Sequence, residues 1–510
     1  MKAKLLRHYR LASFLGGWLA VAALPPFYLL PVLLISFPLL LWLINRSPTA
    51  GQAFRTGYYF GFAFFAFGFS WINHALLLDA ASFGWLVPIV FLACGFFFGL
   101  FIAFPAWLSW YFAQKPRGAV NQYLAFAALW VIFEWLRSFF LSGFPWNLLG
   151  TSLVFSDNLI QAASLGGTYL LSLLVLLATG APFLWLADRR PGRLVAAAGI
   201  PLVIFLSLWL FGVWRIQAHP CQPSETVLRL VQPAIPQTLK WNPAVLEDNL
   251  NRHIKMSQQP GFEAVDFVIW SETAFPYLLE QDVYHRGLLQ YAIPPKGRLI
   301  TGAVRYQPLG DKDYHAYNSM FIIEPDGKIV AHYDKSHLVP FGEYIPLRRF
   351  LPQWVRPVVS AAGNFQPGSG PAVIRLPDQP SLGGLICYEV IFPHRIVNPA
   401  DRPQWLVNLT NDGWYGDSAG PWQHLAATRL RAAEEGITIA RAAGSGVSAL
   451  ISPLGIVIDQ ISLHKEGVLD VKLPIETQFS TTYGRFGNPL PLFLCALLLI
   501  LAIRRSRSNN

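Results

Sequence analysis

The sequence predicts a membrane protein with eight transmembrane α-helices and one large extracytoplasmic α/β domain. Three observations lead there. Of 510 residues, 53% are hydrophobic and only 13% are charged, far from the average of a soluble chain. Apolar runs of about 20 residues, enough to cross a bilayer core, lie almost entirely before residue 215. From about residue 225 the pattern changes to short β-rich runs alternating with amphipathic stretches and punctuated by Pro and Gly.

In chain order, spans are predicted at 11 to 24, 28 to 44, 57 to 78, 84 to 112, 122 to 142, 159 to 187, 193 to 214 and 488 to 503. Pro25-Pro26 divides one long apolar stretch into the first two, which are short. The loops test this count. With a cytoplasmic N-terminus the inside segments hold Lys2, Lys4, Arg7 and Arg10, then Arg46 and Arg55, then Lys115 and Arg117, then Arg189, Arg190 and Arg193, and finally Arg504, Arg505 and Arg507. The outside loops 79 to 83 and 143 to 158 contain no Lys or Arg. The positive-inside rule therefore puts both termini in the cytoplasm and the large block outside it. The resulting domains are 1 to 214, 215 to 487, and 488 to 510. The net charge of +10 follows from this topology and is no sign of nucleic-acid binding. The basic N-terminus and first apolar run are similar to a secretory signal, but no small-residue cleavage site follows, so a retained helix is expected.

In the external block, strands are predicted near 225 to 232, 265 to 270, 298 to 305, 318 to 324, 328 to 333, 372 to 376, 383 to 387, 404 to 409, 437 to 441, 446 to 452, 455 to 460 and 467 to 472. Helices fit 243 to 259, 284 to 292, 391 to 399 and 421 to 435. This alternation suggests a layered α/β domain with helices covering the sheet. Glu324-Pro325-Asp326-Gly327 makes a hairpin turn between two β runs.

Three stretches of this block carry chemistry: Trp270-Ser271-Glu272, Tyr333-Asp334-Lys335 and Gly384-Leu385-Ile386-Cys387-Tyr388-Glu389. Together they supply a carboxylate, an ammonium and a thiol, the groups needed to activate a sulfur nucleophile, steady an oxyanion and hold an acyl group as a thioester. Each has an ordinary alternative: a small core cysteine, a polar helix cap after a strand, a solvated lysine. Glu272 falls just past a predicted strand and Cys387 at the end of another, where open α/β sheets collect their chemistry. Cys94 and Cys495 fall in predicted spans, leaving Cys221 and Cys387 outside. An oxidising compartment allows a disulfide between these two, but none is expected, because it would consume the nucleophile.

The order Trp-Ser-Glu-Thr, then Tyr-Asp-Lys-Ser-His-Leu-Val-Pro-Phe-Gly-Glu-Tyr, then Cys-Tyr-Glu resembles the nitrilase superfamily. With its membrane helices the chain resembles, more narrowly, the apolipoprotein N-acyltransferase family. Val231-Gln232 to Lys240-Trp241, Asn408-Leu409-Thr410-Asn411-Asp412-Gly413-Trp414-Tyr415-Gly416 and the intramembrane Glu134-Trp135-Leu136-Arg137 also look like that family. The resemblance implies a nitrilase-like αββα fold for the external domain. It implies Cys387 as nucleophile, Glu272 as general base and Lys335 as oxyanion stabiliser, with Trp241, Glu343, Tyr388 and Glu389 in support. It further implies transfer of a fatty acyl chain from a membrane phospholipid, typically phosphatidylethanolamine, through a Cys387 thioester. The acceptor would be the N-terminal amine of a diacylglyceryl-cysteine apolipoprotein, the last step of lipoprotein maturation at a bacterial inner membrane, with the catalytic domain in the periplasm.

The physics fits. At about 0.8 kcal/mol per methylene, a 16-carbon chain costs on the order of 12 kcal/mol to expose to water, so the site is expected to meet the bilayer. A thioester must also be shielded from water. Phe144-Pro145-Trp146, Phe341, Tyr344 and the run 351 to 358 are candidates for that, or are ordinary interfacial apolar residues. Glu134 and Arg137, one turn apart in a span, are either a structural pair or a contact to a lipid headgroup. The eleven histidines show no ligand spacing, so neither metal nor cofactor is expected. Two other readings remain: a membrane-anchored cysteine amidase or hydrolase using water as acceptor, and a transporter or receptor, against which the helices show no repeated halves.

Overall fold

The computed structural model describes residues 8–114, 118–310, 313–346, 348–350, 357, 364–475 and 480–507. The chain divides into two compact units, Met1–His219 with Asp417–Ala426 and Thr481–Asn510, and Pro220–Gly416 with Ala427–Ser480.

The first unit is helical, with α1 Tyr9–Val21, α2 Leu33–Asn45, α3 Ala50–Gly68, α4 Val87–Ala113, α5 Gly118–Arg137, α6 Ala163–Gly180 and α7 Pro191–Ala218. Among the described residues, four stretches are long and apolar enough to cross a membrane: Ala80–Ala113, Gly118–Arg137, Leu159–Ala187 and Pro191–Ala218. The expected span 57 to 78 is corrected. Its helix starts earlier, where the Thr49 hydroxyl accepts from the Gln52 N–H, and stops at Gly68, with Ile72–Leu77 a separate short helix. The span 122 to 142 also ends early. Arg137 terminates α5 because its carbonyl accepts from Phe144 N–H at 2.9 Å and its guanidinium donates to the Phe144 and Trp146 carbonyls at 2.7 Å. Glu134 accepts from Leu149 N–H at 2.8 Å. Both side chains thus hold the following loop onto α5. Trp146 is buried, stacked on Phe144 and bonded to Gln423 at 2.7 Å.

The second unit holds twelve strands: β1 Pro223–Gln232, β2 Phe267–Ile269, β3 Arg298–Pro308, β4 Tyr314–Ile323, β5 Ile329–Asp334, β6 Val373–Ile374, β7 Leu382–Ile386, β8 Trp405–Leu409, β9 Thr438–Ala442, β10 Ser448–Ile451, β11 Val457–Ile461 and β12 Gly467–Pro474. Every predicted strand is present. Helix α8, Leu246–Ser257, falls inside its predicted range, and α9, Gly420–Glu435, matches its own within one residue. The helix expected at 391 to 399 does not form; turns replace it after Ile391. Pro393 and Pro399 explain the difference, since each drives the residue before it out of the helical region, and His394 takes a positive φ of 58°. The chain closes with α10, Pro489–Arg507, in the first unit.

The strands form two six-stranded sheets, β12-β1-β2-β3-β4-β5 and β11-β10-β9-β8-β7-β6. Within each, a parallel core (β1, β2, β3 and β7, β8, β9) carries antiparallel edges. Apolar residues from both sheets, including Leu230, Phe267, Met320, Tyr333, Ile386, Trp405 and Val407, share one buried core. The opposite face of the first sheet packs Val231, Val268 and Trp270 against Leu250 and Ile254 of α8. The alternation thus resolves into two sheets packed face to face, with a helix layer outside.

Candidate active site

Four segments leave the carboxyl ends of strands and converge. Glu272 stands three residues beyond β2, Lys335 directly follows β5, Cys387 directly follows β7 and Thr410 directly follows β8. Gly302 in β3 makes room for the first: a Cβ there would lie 2.3 Å from the Thr273 nitrogen and 2.8 Å from the Glu272 Cα. Lys335 is pinned on both sides of its peptide, its N–H donating to the Asn318 carbonyl at 2.9 Å and its carbonyl accepting from Gly368 at 2.8 Å. Cys387 turns from strand into a short 3₁₀ segment with a φ of 49°, a strained conformation for a residue with a side chain.

Glu272, Lys335 and Glu343 form one buried charge cluster. The Lys335 ammonium, 1% exposed, donates to Glu343 at 2.9 Å and lies 3.6 Å from Glu272. Asn318 joins the two acids, its amide nitrogen donating to Glu272 at 2.7 Å and to Glu343 at 3.0 Å. The second oxygen of Glu343 accepts from Val339 N–H at 2.8 Å. Burial works against the ammonium, yet the Glu343 and Glu272 carboxylates outweigh it and drive the Lys335 pKa well above its ordinary value. This lysine stays a cation.

The thiol is in the opposite condition. Burial first, then the Glu272 charge, push the Cys387 pKa up to about 12, with Lys335 and Thr410 pulling it back only in part. At rest the sulfur is therefore a neutral thiol. The Tyr415 hydroxyl lies 3.8 Å from it, and burial keeps that phenol un-ionised. The Thr410 hydroxyl also reaches Asp412 at 3.2 Å, and Asp412 is paired with the fully buried Arg441 at 2.6 Å.

Of the supporting residues, Glu343 sits in the charge cluster. Glu389 clamps two turns together. It accepts from Tyr333, Ser336 and Ile386, by hydroxyl and backbone donors at 2.6–2.8 Å, and so ties the turn carrying Cys387 to the turn carrying Lys335. Tyr388 is buried against His337 and Phe392. Trp241 is 38% exposed. Phe341 is exposed, Tyr344 packs beside Ala316, Leu338 and Phe365, and 351 to 358 lies outside the described residues apart from Pro357. None of the four cysteines is in a disulfide. Among the described residues, no cluster of three His, Cys, Asp or Glu is arranged to hold a metal ion.

Sequence reasoning missed Asn318, Lys240 and the Thr410–Asp412–Arg441 chain as parts of the site. A signal existed for the first, because Asn318-Ser319 interrupts the apolar run of β4.

The apolipoprotein N-acyltransferase N-terminal domain model matches residues 16–181 and the carbon-nitrogen hydrolase model matches residues 227–482. The apolipoprotein N-acyltransferase of Bradyrhizobium diazoefficiens is 38% identical, covering 97% of this chain and 94% of that protein. That of Rhodopseudomonas palustris is 36% identical over 97% of this chain and 95% of its own length. Among solved structures, an amidase from Nesterenkonia sp. AN1 is 21% identical, covering 49% of this chain and 93% of that one, with a TM-score of 0.37. A nitrilase-like domain on a chain with apolar helices, matched along nearly its whole length, leads to one conclusion: this chain belongs to the apolipoprotein N-acyltransferase family.

Proposed function

We propose that the chain transfers a fatty acyl group from a membrane phospholipid to the N-terminal amine of a diacylated apolipoprotein, by a ping-pong route through a thioester on Cys387. The observation that carries this reading is a buried thiol facing the charges of Glu272 and Lys335 on a chain of this family. In the first half-reaction Glu272 takes the thiol proton as sulfur attacks the ester carbonyl, so no free thiolate accumulates. The oxyanion forms beside the permanently charged Lys335 ammonium. Collapse expels the lysophospholipid oxygen, which takes the proton from Glu272. In the second half-reaction the acceptor amine attacks the thioester, Glu272 receives an amine proton, and the sulfur departs and is reprotonated. Glu343, held 2.9 Å from Lys335, and Glu389 position these groups; Tyr388 and Trp241 are proposed to support the acyl chain.

The donor is proposed to be phosphatidylethanolamine. The eight-helix arrangement, with both termini cytoplasmic and the catalytic domain in the periplasm at the bacterial inner membrane, is supported by the charge pattern of the loops. Purified chain incubated with phospholipid and a diacylated lipopeptide should yield triacylated peptide and lysophospholipid, and phospholipid alone should leave a hydroxylamine-labile acyl adduct on Cys387 by intact mass. Release of free fatty acid without acylated peptide would make the chain a hydrolase instead.

A further inference from the structure

A second cation stands against the base, and the reaction scheme above does not use it. Lys240 ends the short helix Gln237–Lys240, reached from β1 through Pro233-Ala234-Ile235-Pro236. Its side chain is partly exposed, and its ammonium donates to the backbone carbonyl of Glu272 at 2.8 Å. The segment that carries it is anchored on the thiol side of the domain: Ala234 N–H donates to the Gly444 carbonyl at 3.0 Å, and Gln237 accepts from Asn411 at 2.9 Å. Lys240 therefore reaches the Glu272 turn from a strap fixed to the opposite sheet's loops. The turn needs such a tie. Thr273 has a φ of 45°, and β2 ends three residues before Glu272.

We propose that Lys240 is a positioning residue of the reaction: by bonding the Glu272 carbonyl, its ammonium fixes where that carboxylate stands relative to the Cys387 thiol. The inference rests on Glu272 being the base. The groups facing Lys240 are Glu272 from the β2 turn, Cys387 from the β7 turn and His253 from α8. Burial lowers the Lys240 pKa to about 8, the Glu272 and Cys387 charges offsetting this only in part. A cavity of about 20 Å³ beside it, lined by Asn249, His253, Ser271 and Asn411, has room for a water. Below pH 8 the tie is a charge-assisted bond; above it the bond weakens.

The test uses full-length protein in phospholipid nanodiscs and follows Cys387 acyl-adduct formation between pH 6 and 10 for wild type, Lys240→Arg and Lys240→Met. Lys240→Met should be roughly tenfold to a hundredfold slower at pH 7. Its deficit should shrink above pH 8 as wild type loses its own charge. Lys240→Arg should match wild type at pH 7 and exceed it at pH 9.5. A structural role alone predicts a pH-independent ratio, and that result, or Lys240→Met within about twofold of wild type at pH 7, overturns the proposal. If Lys240→Arg does not fold, the pH course of the Lys240→Met ratio decides. Alkylation of Cys387 by iodoacetamide, measured in parallel, needs no acyl donor. If wild type forms no adduct, the proposed function falls, and the same pH-dependent ratio in alkylation still decides the role of Lys240.

Discussion

The loops of the two sheets contribute opposite kinds of chemistry. Those of the first sheet hold ions: two carboxylates and one ammonium within 3.6 Å, the two acids bridged by Asn318. Those of the second hold a neutral thiol beside two hydroxyls, its acidity suppressed by burial. Neither half is reactive alone. The ion cluster has no nucleophile of its own, and a thiol with a pKa of about 12 is a poor nucleophile. Reactivity depends on the sheets packing face to face, and two features set that register. Glu389 ties the two turns together. Gly384 in β7 lets the sheets close, since a Cβ there would meet the Tyr333 ring at 2.7 Å.

This contrast can be broken in graded ways. Cys387→Ala empties the second half while leaving the first intact. It should cost at least about a thousandfold in acyl transfer with little change in melting temperature, and a variant that retains turnover would discard the thiol as nucleophile. Glu389→Ala unhooks the halves. It strands several buried donors, so a stability loss of about 2–4 kcal/mol is expected, with transfer slowed roughly tenfold to a hundredfold, read by denaturation and by adduct formation.

Acid should strain the first half through His253, which burial keeps neutral down to about pH 4. Between pH 6.5 and 4 the unfolded chain binds a proton that the folded chain does not. Stability is therefore complete above about pH 6.5 and falls toward pH 4, by up to about 3 kcal/mol. His253→Gln should flatten that part of the melting-temperature profile. Gly384→Ala, the smallest change, should push the sheets apart by a methyl at a cost of about 1–3 kcal/mol and slow transfer without altering the pH profile.

The strand pattern was legible because β-rich runs bounded by Pro and Gly mark strand ends, and Glu272, Lys335 and Cys387 stand at or just beyond them. The pairing of two separate sheets was not, because a strand reads the same whichever sheet it joins. Helix ends in the first unit were misjudged where side chains rather than hydropathy set them, as at Thr49 and Arg137. The false helix at 391 to 399 came from weighing apolar spacing above Pro393 and Pro399. The proposed role of Lys240 was not legible because it runs through a backbone carbonyl, which no side-chain motif records.

The sulfur's high pKa has a consequence beyond catalysis. Peroxide and stray disulfides react with thiolates, and at neutral pH Cys387 offers almost none. A buried thiol of this kind can thus persist in an oxidising compartment such as the one proposed for this domain. The burial that would keep the proposed nucleophile dormant between turnovers would also protect it from oxidative damage.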